Sequence, residues 1–101
     1  MAFDFYLDKE RTFIDHHEEG LFELINDDEK YPRLNWLWEN FYNGPEIDPA
    51  VANELVHELI ALRQNLVGKT DYKYVLHTID RILPFISKAY TRDKSIKCMS
   101  D

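Results

Sequence analysis

Cysteine occurs once in this 101-residue chain, glycine three times and proline four times. A lone Cys98 cannot close an internal disulfide, so a hydrophobic core has to hold the fold. The glycines, Gly20, Gly44 and Gly68, are isolated from one another, and neither a phosphate-cradling loop nor a dinucleotide fingerprint can be assembled from them. No apolar run approaches the roughly 18 residues of a membrane span, so no membrane partner is expected. Basic excess is missing too. Against 19 Asp and Glu there are 12 Lys and Arg, a formal charge of −7, which disfavours direct nucleic-acid binding. The opening Met1-Ala2-Phe3-Asp4-Phe5 has no basic stretch followed by an apolar one, and the cytoplasm is the expected compartment.

What is present is a strong supply of core formers, 45% hydrophobic and 14% aromatic residues, which points to one compact domain over residues 1–101. A chain of this length buries enough surface to fold without metal or disulfide staples. Its charge is uneven. Residues 1–29 hold ten Asp/Glu against two Lys/Arg, a balance of −8, while residues 30–101 hold nine against ten, a balance of +1. An acidic first third favours a basic protein partner.

Phe3, Phe5 and Leu7 alternate with Asp4, Tyr6 and Asp8, the period of a half-buried strand. Ile96, Lys97 and Cys98 offer a short alternating mate, and the two chain ends are expected to meet in a two-stranded ribbon packed on helices. Four helical segments are predicted between them. The first, about 16–28, has a narrow inward face of His17, Leu21, Leu24 and Ile25, and the second, about 31–43, carries Leu34, Leu37, Trp38 and Phe41 before the stop at Asn43-Gly44-Pro45. The third runs from 49 to 67 between the Asp48-Pro49 start and Gly68; Val56, Ile60 and Val67 beside its main leucine stripe suggest a central helix, apolar over half its circumference. The fourth, about 70–91, has a face from Tyr72 to Tyr90, Tyr74 and Phe85 off that face and covered by the ribbon, and Pro84 inside, where a kink or break is expected. The predicted fold class is mainly α: a four-helix single domain with a terminal ribbon.

No catalytic motif survives inspection, and the chain is expected to be a non-enzymatic binding protein without cofactor or metal. His57-Glu58-Leu59-Ile60-Ala61 resembles the start of a zinc-protease helix, but the second histidine ligand is replaced by Ala61. His16-His17-Glu18-Glu19 diverge by roughly 100° per residue on a helix and cannot converge on one ion unaided. Cys98 sits in an alternating segment, where a small buried hydrophobe is a simpler reading than a nucleophile.

Two features stand out as candidate partner-binding elements. On the first predicted helix Glu19, Glu23 and Asp27 stack at i, i+4 and i+8, with Glu18, Asp28 and Glu29 nearby. Like charges at that spacing weaken an isolated helix by about 0.2–0.5 kcal/mol per pair, and Asp27 opposes the helix dipole, so the stripe is either a solvated face or a docking surface. On the second, Trp36 projects about 160° from the core stripe, either as an interface anchor or as a ring covered within the fold.

The opening Phe3-Asp4-Phe5-Tyr6-Leu7 together with the ending Ser95-Ile96-Lys97-Cys98-Met99-Ser100-Asp101 resembles small bacterial proteins of the toxin-immunity type, found in polymorphic toxin and contact-dependent inhibition systems. That resemblance implies a cytoplasmic inhibitor that occludes the active site of a toxin, often a nuclease. The acidic first third suits a basic toxin surface. The alternative is a homodimeric regulatory or interaction module with no toxin partner.

Overall fold

The computed structural model describes residues 3–15, 21, 24, 25 and 29–100. The chain begins with a hairpin of β1 (Phe3–Leu7) and β2 (Glu10–Ile14), with Leu7 opposite Glu10 across the two-residue turn Asp8-Lys9. Asp8 takes a left-handed φ of 53°, a conformation tolerated by aspartate that lets so short a turn follow the twist of the strands. Helix α1 (Pro32–Asn40) leads through a 3₁₀ turn (Phe41–Asn43) into β3 (Glu46–Ile47). Gly44 makes that passage possible with φ of 62°, while a β-carbon there would press to 3.4 Å from the Cys98 carbonyl oxygen. Helix α2 (Pro49–Leu66), a second 3₁₀ turn (Thr70–Tyr72), helix α3 (Lys73–Thr91) and β4 (Ile96–Ser100) complete the order.

All four strands form one antiparallel sheet in the order β2-β1-β4-β3, and three α-helices are found among the described residues. The fold is thus α+β. This corrects the expectation of a mainly α, four-helix domain with a two-stranded ribbon. The ends do pair, Phe5 opposite Cys98 and Tyr6 opposite Lys97, but they form the centre of a wider sheet. A lone ribbon would leave both outer edges unpaired; β2 satisfies one and the two residues of β3 part of the other. Of the first predicted helix, 16–28, only Leu21, Leu24 and Ile25 are described, with Leu21 and Ile25 buried.

The sheet turns Phe3, Phe5, Leu7, Ile14, Ile47, Ile96 and Cys98 inward to the helices, where they form one core with Leu55, Leu59, Ile79 and Ile86. Phe41 plugs the end of α1 into β1, its ring centroid 4.3 Å from that of Phe3 and 5.4 Å from that of Phe5. Asp48 caps α2 by accepting from the Val51 backbone N–H at 2.8 Å, with Pro49 in the first turn as its start signal implied. The second apolar stripe of α2 is only partly core: Val56 is half-buried against it, while Ile60 and Val67 are exposed, so α2, which packs against both other described helices, keeps a solvent side.

Helix α3 runs unbroken through Pro84. The hydrogen bond that the proline removes would have gone to the Asp80 carbonyl, and both residues are exposed, so water can take the freed acceptor. Its buried face is Val75, Thr78, Ile79, Ile82, Phe85, Ile86 and Ala89, rotated from the predicted one: Phe85 enters the core, while Tyr74 and Tyr90 stay exposed.

Candidate functional site

Helix α1 begins without a cap of its own. Tyr31 at the capping position offers no side-chain hydrogen bond to the helix start, and the first turn holds no acidic residue. Pro32 removes one of the orphan N–H groups, and the next two are met from α2. Glu58 accepts from the Arg33 N–H through both carboxylate oxygens, each at 3.0 Å, and from the Leu34 N–H at 3.0 Å. One turn earlier on α2, Glu54 pairs with the Arg33 guanidinium, whose Cζ lies 5.9 Å from the centroid of the Trp36 ring. Thus Trp36, Arg33 and Glu54 stack across the two helices, and a recess of about 420 Å³ opens beside them, lined by Glu29, Lys30, Pro32, Arg33, Glu54, His57 and Glu58.

Burial raises the pKa of Glu58 above its ordinary 4.5, against the backbone N–H groups of Leu34 and Arg33, which favour the ionised form; the neighbouring Glu54 charge adds to the rise. The helix end therefore holds a carboxylate that water solvates poorly and two N–H dipoles stabilise. This is positioning chemistry. The glutamate of the incomplete zinc-protease pattern is turned toward α1, while His57 faces outward on the recess. Among the described residues no group of three or more His, Cys, Asp or Glu is placed to hold a metal ion. Cys98 is a buried thiol whose pKa burial pushes up to about 12, the wrong direction for a nucleophile.

Of the residues singled out from the sequence, Glu18, Glu19, Glu23, Asp27 and Asp28 lie outside the described residues, as do His16 and His17. Glu29 is exposed on the recess. Trp36 is half-buried, packed against the core on one side and beneath Arg33 on another, a state between the two that the sequence suggested. Sequence reasoning missed Glu54 and Glu58 as partners of α1. A faint signal exists in the bare start Tyr31-Pro32-Arg33, which needs an acceptor from elsewhere, but nothing in it names which carboxylate answers.

A second recess, of about 360 Å³, lies across Lys30 and is lined by Leu24, Tyr31, Leu62, Asn65, Leu66, Lys69 and Tyr72. Its polar floor is satisfied internally, the Asn65 amide donating to the Tyr31 hydroxyl at 2.8 Å.

The acidic first third divides in two. Asp4 pairs with Arg11 at 2.7 Å, Asp8 with Lys94 at 2.9 Å, and Glu10 with Lys88 at 2.9 Å and Arg92 at 2.6 Å. Hydrogen bonds from Lys88 and then Arg92 hold the Glu10 carboxyl below its ordinary value. These acidic groups are matched inside the fold. In the sequence, residues 15–29 hold seven acids, Asp15, Glu18, Glu19, Glu23, Asp27, Asp28 and Glu29, with no Lys or Arg among them, equal to the whole net charge of −7. The rest of the chain holds twelve acids (19 less 7) and twelve bases.

No helix among the described residues is long and apolar enough to cross a membrane. Comparison with protein families, with characterised proteins and with solved structures finds no match for this chain.

Proposed function

We propose that this chain is an immunity-type inhibitor, which binds a basic toxin domain such as a nuclease and neutralises it by covering its basic surface. The observation that carries the reading is the placement of the charge along the chain: residues 15–29 hold seven acids and no Lys or Arg, equal to the net −7. An unbalanced acidic segment steers a basic partner toward one part of the molecule and raises the encounter rate. Glu29 joins that segment to the recess, and the half-buried Trp36 beside it supplies the aromatic surface that holds interfaces together.

The test is co-production with the toxin domain encoded beside the gene for this chain. The expected result is restored growth and a stoichiometric complex whose association slows as salt screens the acidic segment. Glu23→Lys should slow association, and Trp36→Ala should accelerate dissociation by a factor matching a loss of about 2 kcal/mol. Undiminished toxicity with no complex would overturn the reading.

A further inference from the structure

Among the described residues the sheet has a long edge at β2, where five residues end the hydrogen-bonded ladder. The Phe13 carbonyl accepts from Arg81 Nη2 of α3 at 3.0 Å, so it faces away from β1. In an antiparallel pair alternate residues turn their N–H and C=O the same way, which places those of Arg11 on the same outer edge. An edge of this kind is a template for another strand unless something fills it. The same Arg81 guanidinium lies over the Phe13 ring, 5.0 Å from its centroid, and Arg11 approaches that ring at 5.2 Å. Further along α3, Lys88 and Arg92 reach Glu10 at the start of the strand. Contacts from α3 positions 81, 88 and 92 thus follow β2 backward from 13 to 10, and of these three the one from Arg81 occupies a backbone group of the edge.

We infer that Arg81 is a guard residue: it blocks strand pairing at the outer edge of β2, and without it that edge pairs with β2 of a second copy of this chain. The occupant follows from the short strand itself. Set antiparallel to its twin about Thr12, β2 places Arg11 opposite Phe13 in both directions, repeating between copies the guanidinium-on-ring contact that it makes within one. Charge makes the inference discriminating. Losing Arg81 takes the chain from −7 to −8, so long-range electrostatics alone would make self-association weaker. Edge pairing predicts the opposite sign.

The experiment compares the full chain with Arg81→Ala and Arg81→Met, the second keeping an unbranched apolar stem over Phe13 while removing the donor. Sedimentation velocity over a concentration series is read together with amide exchange at Arg11 and Phe13. Both variants are expected to self-associate at least about tenfold more tightly than the natural chain, with exchange at those two amides slowing as concentration rises. Lys88→Ala, which removes one of the two bases on Glu10 but leaves the Phe13 carbonyl occupied, is expected to sediment like the natural chain. Should the alanine variant fail to fold, the methionine variant carries the test. Sedimentation of a folded Arg81→Met variant indistinguishable from the natural chain would overturn the inference, as would association that leaves exchange at Arg11 and Phe13 unchanged.

Discussion

Two pairs of sequence-distant elements are tied by charged side chains, and the ties differ in kind. The hairpin is joined to the C-terminal half of α3 by Asp8 and Glu10 with Lys88, Arg92 and Lys94, an arrangement of side chain against side chain in which every member is 40–53% exposed. Helix α1 is joined to α2, beside the exposed Glu54–Arg33 pair, by the half-buried Glu58 carboxylate, which accepts from backbone N–H groups at the uncapped helix start. Several exposed pairs exchange water for one another and gain little net, whereas a partly buried acceptor that meets orphan donors leaves them poorly solvated when it is removed. Where a charge sits matters more here than how many there are.

That contrast can be broken by substitution. Glu58→Ala leaves the Arg33 and Leu34 N–H groups unmet and is expected to cost about 1–2 kcal/mol in denaturant unfolding, with faster amide exchange confined to the start of α1. An unchanged midpoint would remove the distinction between the two ties.

Acid titration sharpens it further, because the two carboxylates move in opposite directions. Burial raises Glu58 above 4.5, so the folded chain holds this proton more tightly than the unfolded one; its contribution to stability is full below about pH 4.5 and falls as pH rises through the folded value. Lys88 and Arg92 lower Glu10, whose contribution is present above 4.5 and is lost as pH falls through its depressed folded value. Comparing the pH dependence of unfolding in Glu10→Gln and Glu58→Gln with the natural chain should therefore show slope changes of opposite sign. Changes of the same sign would show that one of the two environments is wrongly described.

The smallest effect is expected at Lys94→Ala, which removes an exposed partner of Asp8: about 0.2–1 kcal/mol at low salt, fading toward nothing near 1 M. A larger loss that persists in high salt would mean the hairpin tie works through packing and not through charge.

Much of the skeleton was legible in the residues. The alternation Phe3-Phe5-Leu7 marks β1, Asp48-Pro49 and Gly68 bracket α2, and the fourth segment was placed within a few residues of α3. Local chemistry is sufficient there, since pleat, cap and turn residues act on their immediate neighbours. The strands β2 and β3 were not legible. Glu10-Arg11-Thr12-Phe13-Ile14 shows its alternation only once its partner strand is known, because Glu10 and Phe13 blur the polar and apolar sides, and two residues of β3 carry no period at all. The site was less legible still. Trp36 drew attention by its helical projection and Glu29 by its place near the acidic stripe, but the Glu58 cap spans 24 residues and depends on how α1 crosses α2.

By itself the sequence determined the supply of core residues, the boundaries of the best-capped helix, and the confinement of the entire net charge to residues 15–29. Only the tertiary structure decided that the terminal strands become the middle of a sheet, that Ile60 and Val67 face solvent while Phe85 does not, and which carboxylates are spent inside the fold. The reason is physical: periodicity and capping are set within a few residues, whereas strand neighbours, helix rotation and ion pairing are set by which surfaces meet, and a single chain leaves several such meetings open until the core closes.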